Sequence, residues 1–202
     1  MASKRKKTGK KIPDAAADAS MLEKADVAVA KAVAPYQHTP VVEAVGKASE
    51  IGDQPPLIAL SSAVLGWGLW THDKRLARTG LRMLASHLLA TGLKNLVKNY
   101  VDRTRPFVLA EEGRYEMHRG TQHEKAMTSF PSGHTAGAIA VAAAVAREYP
   151  ERSTAAYGVA GAVAFAQIPR CAHYPTDIGA GAVIGWLSEQ AVAAAGRAVA
   201  RA

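Results

Sequence analysis

Only one cysteine, Cys171, occurs in the 202 residues. No disulfide can form within the chain, and a zinc site built on cysteine pairs is ruled out. Aromatic side chains make up 6% of the sequence. None is interleaved with the basic N-terminal residues, which argues against a nucleic-acid surface that stacks bases between cations. No stretch alternates apolar and polar residues as a half-buried strand does. Acidic residues are missing from residues 1–12, where Lys4, Arg5, Lys6, Lys7, Lys10 and Lys11 stand. Residues 13–20 are polar and Ala-rich rather than apolar, so no secretory signal is expected.

What remains is a chain rich in Ala and Gly whose apolar residues recur at helical spacing. An all-α fold is expected, with residues 1–20 as a disordered basic tail and residues 21–202 as a single helical domain. The tail reads as a solvated segment, or as one that meets anionic lipid headgroups. Residues 21–50 read as two amphipathic helical pieces broken around Pro35 and Pro40. They carry Glu23, Lys24, Asp26, Lys31, Glu43 and Lys47, so they should lie on a surface or pack on the domain rather than cross a bilayer.

About five apolar helices follow, near residues 56–70, 80–97, 133–146, 154–168 and 178–195. Each is about 14–18 residues, somewhat short of the roughly 20 of a full span. Residues 57–70, 133–146 and 154–168 are free of Asp, Glu, Lys and Arg, whereas a soluble surface helix shows a polar face. Trp67 and Trp70 are placed as interfacial anchors, and Gly181 and Gly185 have the spacing that lets membrane helices approach closely. A membrane bundle is the primary expectation, and a soluble Ala-rich bundle is the alternative.

Three separated segments carry chemistry. In the first, Lys98 and Arg105 precede Pro106 and lie about two helical turns apart. An ammonium with a forked guanidinium suits a tetrahedral oxyanion, although alone the segment reads equally as the basic flank of a helix. In the second, Pro131, Ser132, Gly133 and His134 precede an apolar helix. A helix starting there aims free N–H groups at an anion, capped by Ser129 or Ser132. Gly133 allows close approach, and His134 can protonate a leaving alkoxide. In the third, His173 and Asp177 are four residues apart, so a carboxylate could orient the imidazole and leave its other nitrogen as a nucleophile. His and Asp are also metal ligands, but no further ligands stand at motif spacing. Each signal is weak by itself. Their order, each at a helix end, lets all three meet on one side of a bundle.

Together these segments resemble the type 2 phosphatidic acid phosphatase superfamily over roughly residues 50–195. The resemblance implies a metal-independent phosphatase, with no cofactor, acting through a phosphohistidine and inhibited by vanadate. His173 would be the nucleophile, His134 the general acid and Asp177 the orienting partner. Lys98, Arg105, Ser132, Gly133 and an arginine of the third segment would hold the phosphate. The family's arginine stands six residues before the nucleophilic histidine, where this chain has Gln167; Arg170 lies three residues further on. Either Arg170 substitutes, or activity is reduced, or the protein only binds its ligand. The implied substrate is a lipid phosphate monoester or polyprenyl pyrophosphate, and the implied location a bacterial inner membrane with the site facing outward. A soluble broad-specificity acid phosphatase and a non-catalytic protein that binds anionic lipid are the alternatives. His118 and His123 sit in a polar stretch read as a loop over the site, His87 reads as a helix-contact histidine, and Cys171 as a packing residue.

Overall fold

The computed structural model describes residues 19–121 and 124–201, and nearly all of their regular structure is helical. Residues 1–18 of the expected tail and His123 lie outside the described residues. Ser20 belongs to the first helix: its hydroxyl accepts from the Glu23 amide while the Glu23 carboxylate accepts from the Ser20 amide. This reciprocal cap satisfies two orphan donors at the start of α1 (Met21–Val33). Pro35 falls in the short turn that follows, and Thr39 caps α2 (Pro40–Ser49) with Pro40 at its first position. Both pieces pack on the domain, as their charges require. Val27 and Ala30 of α1 join Leu109, Tyr115 and Tyr174 in one buried cluster.

The bundle comprises α3 (Gln54–Trp70), α4 (Lys74–Lys98), α6 (Gly133–Glu148), α7 (Ser153–Ala166) and α8 (Pro175–Val199). Helix α6 is its central post. Ala136, Ala140, Ala142, Ala143 and Ala144 are all buried, and α6 packs against α3, α4, α7 and α8. Alanine suits this position because it favours the helix and lets neighbouring backbones come close. The closest approach is to α8. A Cβ added at Gly181 would lie 2.6 Å from the Ser132 carbonyl oxygen, and one at Gly185 would lie 2.3 Å from that of Ala136. The small-residue spacing of Gly181 and Gly185 therefore marks a real helix contact.

Two features depart from the expected pattern. Residues 101–128 hold two short antiparallel strands, β1 (Val101–Arg103) and β2 (Met117–Arg119), with α5 (Pro106–Glu112) between them. Three-residue strands are too short to show alternation in sequence, yet their pairing satisfies backbone groups beside the buried end of the bundle. The expected loop is thus largely structured. The five apolar helices also differ in reach. Among the described residues only α8 is long and apolar enough to cross a membrane by length and composition. Helices α3, α6 and α7 have 17, 16 and 14 residues, and α4 carries Lys74, Arg75, Arg78, Arg82, Lys94 and Lys98.

Much of that charge on α4 is spent at one end of the bundle. Glu148 receives Arg78 at 2.6 Å and Arg82 at 2.9 Å. Glu189, fully buried on α8, receives Arg147 at 2.5 and 2.7 Å and Arg82 at 3.3 Å. The two carboxylates pin α4, α6 and α8 together. Removing one buried partner strands the other charges, so Glu189→Gln should destabilise the protein by about 2 kcal/mol, tempered by the partial exposure of Arg147. Thermal unfolding in detergent measures this, and an unchanged midpoint would show that the cluster contributes nothing.

Candidate active site

The other end of the bundle gathers the starts of α3, α6 and α8 and the ends of α4 and α7. Two consecutive carbonyls, those of Thr128 and Ser129, bring the three chemical segments together. Arg105 donates its amide to the Ala126 carbonyl, and Ser129 donates its amide to that of Arg103, so residues 103–105 run beside residues 126–129. Lys98 Nζ and Arg105 Nη2, the latter at 3.4 Å, both donate to the Thr128 carbonyl. His173 Nδ1 lies 2.7 Å from the Ser129 carbonyl oxygen. A carbonyl can only accept, so Nδ1 carries the proton and the neutral ring presents Nε2 as its lone-pair nitrogen.

Asp177 lies 3.8 Å from His173 Nδ1. The i, i+4 spacing brings the pair together as expected, but orientation of the ring runs through Ser129. The Ser129 hydroxyl donates to Asp177 Oδ2 at 2.6 Å, and its carbonyl takes the imidazole proton. Asp177 Oδ2 also accepts the Tyr174 amide at 2.8 Å, closing the first turn of α8. Asp177 Oδ1 accepts from Arg103 Nη1 at 2.5 Å.

Arg103 and Asp26 were not legible as parts of the site. Arg103 is 1% exposed. It donates to Asp177 and Thr176 through Nη1 and to Asp26 Oδ2 (2.7 Å) and Tyr115 (3.1 Å) through Nη2. Its guanidinium also lies 4.2 Å from the centre of the Tyr174 ring. Burial opposes its charge, but Asp177, Asp26 and Tyr115 outweigh that cost and raise its pKa. The one available sequence signal was Asp26 between apolar residues of α1, an acid on a face that has to be buried.

Helix α6 begins at Gly133, and the N-cap is Ser132 rather than Ser129. The Ser132 hydroxyl accepts from the Thr135 amide at 3.4 Å and the Thr135 hydroxyl at 3.0 Å. Its amide donates to the Asp177 carbonyl at 3.0 Å. Ser132 is fully buried and lines neither cavity described below; its hydroxyl caps α6. Gly133 and His134 follow it with the free amides of a helix start.

An inner cavity of about 160 Å³ is lined by Lys98, Arg105, Gly133, His134 and His173, together with Asp53 and Lys94. An outer cavity of about 570 Å³ includes Asp53, Arg105 and His134 in its wall, along with Gln167 and Arg170. His134 therefore stands where the two meet. Arg170 is brought to the outer wall only. Its Nη1 donates to the Gly46 carbonyl at 3.1 Å and the Ser49 hydroxyl at 3.0 Å, and its Nη2 lies 3.5 Å from Glu50. Gln167 is buried and bonded to Ser49 and to the Val163 carbonyl. His118 lies on the exposed β2, 4.0 Å from Glu116. Cys171 is fully buried at a left-handed backbone position (φ 51°) in the turn that delivers His173, a conformation a non-glycine residue seldom adopts.

Burial moves both groups of that turn. His173 is pushed down to about 4 by loss of water, with Arg105 and Lys98 acting in the same direction and Asp177 against. It is therefore neutral at neutral pH, the form in which an imidazole nitrogen keeps its lone pair. In the unfolded chain it titrates near 6.5. Its contribution to stability is present above that value and falls as pH drops from about 6.5 towards 4, where only the unfolded chain takes up the proton. Acid-induced loss of stability across this window should be roughly 2–3 kcal/mol smaller in His173→Asn than in the wild type; parallel stability–pH curves would contradict this. Burial, with Glu111, raises the Cys171 thiol to about 11. A maleimide at neutral pH should leave the native thiol unmodified and label it only on unfolding.

Comparison with known proteins bears on the family and the fold. The sequence model of the PAP2 superfamily matches residues 79–199. The fold is similar to the crystal structure of the first transmembrane PAP2 type phosphatidylglycerolphosphate phosphatase from Bacillus subtilis. That likeness has a TM-score of 0.64 at 21% identity and covers 92% of this chain and 91% of that one. It is also similar to Aquifex aeolicus LpxE, with a TM-score of 0.60 at 20% identity over 85% of this chain and 94% of that one. No curated protein matches significantly.

Proposed function

The chain belongs to the PAP2 superfamily, and from that premise we propose that it is a membrane-embedded, metal-independent phosphatase acting on a lipid phosphate monoester or diphosphate. The observation that carries this reading is the buried, neutral His173. Its Nδ1 proton is committed to Ser129, and its ring lines a cavity shared with Lys98, Arg105 and the start of α6.

In the first step His173 Nε2 attacks phosphorus and the bond to the ester oxygen breaks. His134, at the junction of the two cavities, gives its proton to the departing alkoxide. The product is a phosphohistidine, and His173 keeps its Nδ1 proton on the Ser129 carbonyl while positive charge develops on the ring. Asp177, at 3.8 Å, stabilises that charge and is itself held by Arg103. In the second step a water, deprotonated by His134, cleaves the P–N bond and releases inorganic phosphate. Lys98, Arg105 and the amides of Gly133 and His134 stabilise the equatorial oxygens throughout, and preorganised donors of this kind supply much of the catalysis. Arg170 stands in the outer cavity, where it meets the phosphorylated headgroup on arrival.

Two surface features support an amphiphilic substrate and a membrane location. Large apolar side chains point outward from the bundle, among them Leu60, Leu88, Val159, Phe165, Val183 and Trp186, a surface that water disfavours. An apolar groove of about 350 Å³ runs between α3, α6 and α7 and includes Ile51, Leu60, Val141 and Val163 in its wall. It starts at the segment whose neighbours Glu50 and Asp53 line the outer cavity, so a lipid could place its headgroup in one and its chain in the other.

Detergent-extracted protein should release phosphate from lipid phosphates in the presence of EDTA. His173→Ala should lose roughly 10³-fold or more in kcat/KM, and the wild type should be inhibited by orthovanadate. An acid-labile phosphoenzyme should accumulate in His134→Ala. No turnover across phosphatidic acid, phosphatidylglycerol phosphate and an isoprenoid diphosphate, or full activity of His173→Ala, would refute the proposal.

A further inference from the structure

Lys94 lines the inner cavity beside Lys98, one helical turn earlier on α4, and no hydrogen bond or ion pair holds it among the described residues. Its position is unusual for a cation. A Cβ added at Gly133 would meet Lys94 Cδ at 3.0 Å and Nζ at 3.3 Å, so the ammonium lies against the first residue of α6. The N-terminus of a helix carries about half a positive charge and favours an anion over a cation. Lys98 is a like charge at i+4, which is also unfavourable, and Arg105 shares the cavity wall. Asp53 is the acid that lines the cavity with them. A net gathering of positive charge around a cavity is stabilised when an anion occupies it.

An independent observation points to a polar occupant. His87, two turns before Lys94, also lines the inner cavity. It is 2% exposed, and neither ring nitrogen has a hydrogen-bond partner among the described residues. Such a group costs about 1–3 kcal/mol when left unsatisfied. Thr91 completes the stripe: positions 87, 91, 94 and 98 follow the spacing of one helix face and all line the same cavity.

We propose that Lys94 is the third cation that holds the transferred phosphoryl group, with His87 as a hydrogen-bonding wall behind it. The proposal rests on the phosphatase reading for its substrate and extends it to a residue outside the three recognised segments. Arg170 is engaged with the end of α2, and Gln167 carries no charge. The ammonium against α6 therefore supplies the positive charge that the third segment does not bring to the inner cavity. Gly133 leaves room for this arrangement, because a Cβ there would crowd Lys94 Cδ at 3.0 Å.

The test compares wild type, Lys94→Met, Lys94→Arg and Arg170→Gln in detergent. Inorganic phosphate binding is read by thermal shift and calorimetry, and lipid phosphate turnover is read alongside. Lys94→Met should weaken phosphate binding and lower kcat/KM at least tenfold. Its melting temperature without phosphate should be equal to the wild type's or higher, because a repelled cation is removed. Lys94→Arg should keep most of both activities, and Arg170→Gln should bind inorganic phosphate more nearly as the wild type does. Wild-type phosphate affinity in Lys94→Met would overturn the proposal, as would a loss of affinity that merely tracks a loss of folded stability. If the wild type binds phosphate through Lys94 but turns over no lipid phosphate, the phosphatase reading fails, and Lys94 is upheld only as a cation of a phosphate-binding site. If lipid turnover is intact in Lys94→Met, the reverse holds.

Discussion

A guanidinium locked between two carboxylates in the protein interior organises everything around it. Arg103 joins Asp26 of α1 to Asp177 of α8 and is itself fixed by the strand pairing beside the bundle. Burying three charges is costly unless each is paired and hydrogen-bonded, and here each is. The arrangement forces α1 onto the domain, sets the start of α8, and holds one oxygen of Asp177 so that the other can accept Ser129 and Tyr174. His173 inherits its orientation from that chain of contacts. The geometry of His173 is thus set by residues that line neither cavity of the candidate site.

The bundle separates two electrostatic tasks by placing them at opposite ends. At one end Glu148 and Glu189 neutralise arginines from α4 and α6 and the helices are bound tightly. At the other, Lys94, Lys98 and Arg105 converge with the start of α6, and positive charge exceeds what Asp53 offsets. The first arrangement favours stability and the second favours an anion. Between the two ends, alanine along α6 and glycine at 181 and 185 bring the backbones of α6 and α8 into close contact.

Much of the site was legible because its chemistry is carried by residue types in local order. His173 with Asp177, His134 after Gly133, and Lys98 with Arg105 are each recognisable within a single segment, and the chain folds them onto one end of the bundle. The all-helical architecture and the break between α1 and α2 were legible from apolar spacing and from Pro35 and Pro40. Less legible were the strands at residues 101–103 and 117–119, since three residues show no period. The capping role of Ser132 was also less legible: a capping hydroxyl and a phosphate-binding hydroxyl have the same sequence context, and the contacts with Thr135 are what mark the cap.

The sequence by itself determined the residue types that can attack, protonate and hold a phosphate, and the helices that carry them, because those properties reside in single side chains and short periods. Only the tertiary structure decided which partners those side chains have. It placed Ser129 rather than Asp177 on His173 Nδ1, turned Arg170 towards the end of α2, paired Arg103 with Asp26 from 77 residues away, and set Lys94 against Gly133. Hydrogen bonds and charge interactions depend on distances of a few ångströms between remote segments, and packing of the helices fixes those distances where local sequence cannot.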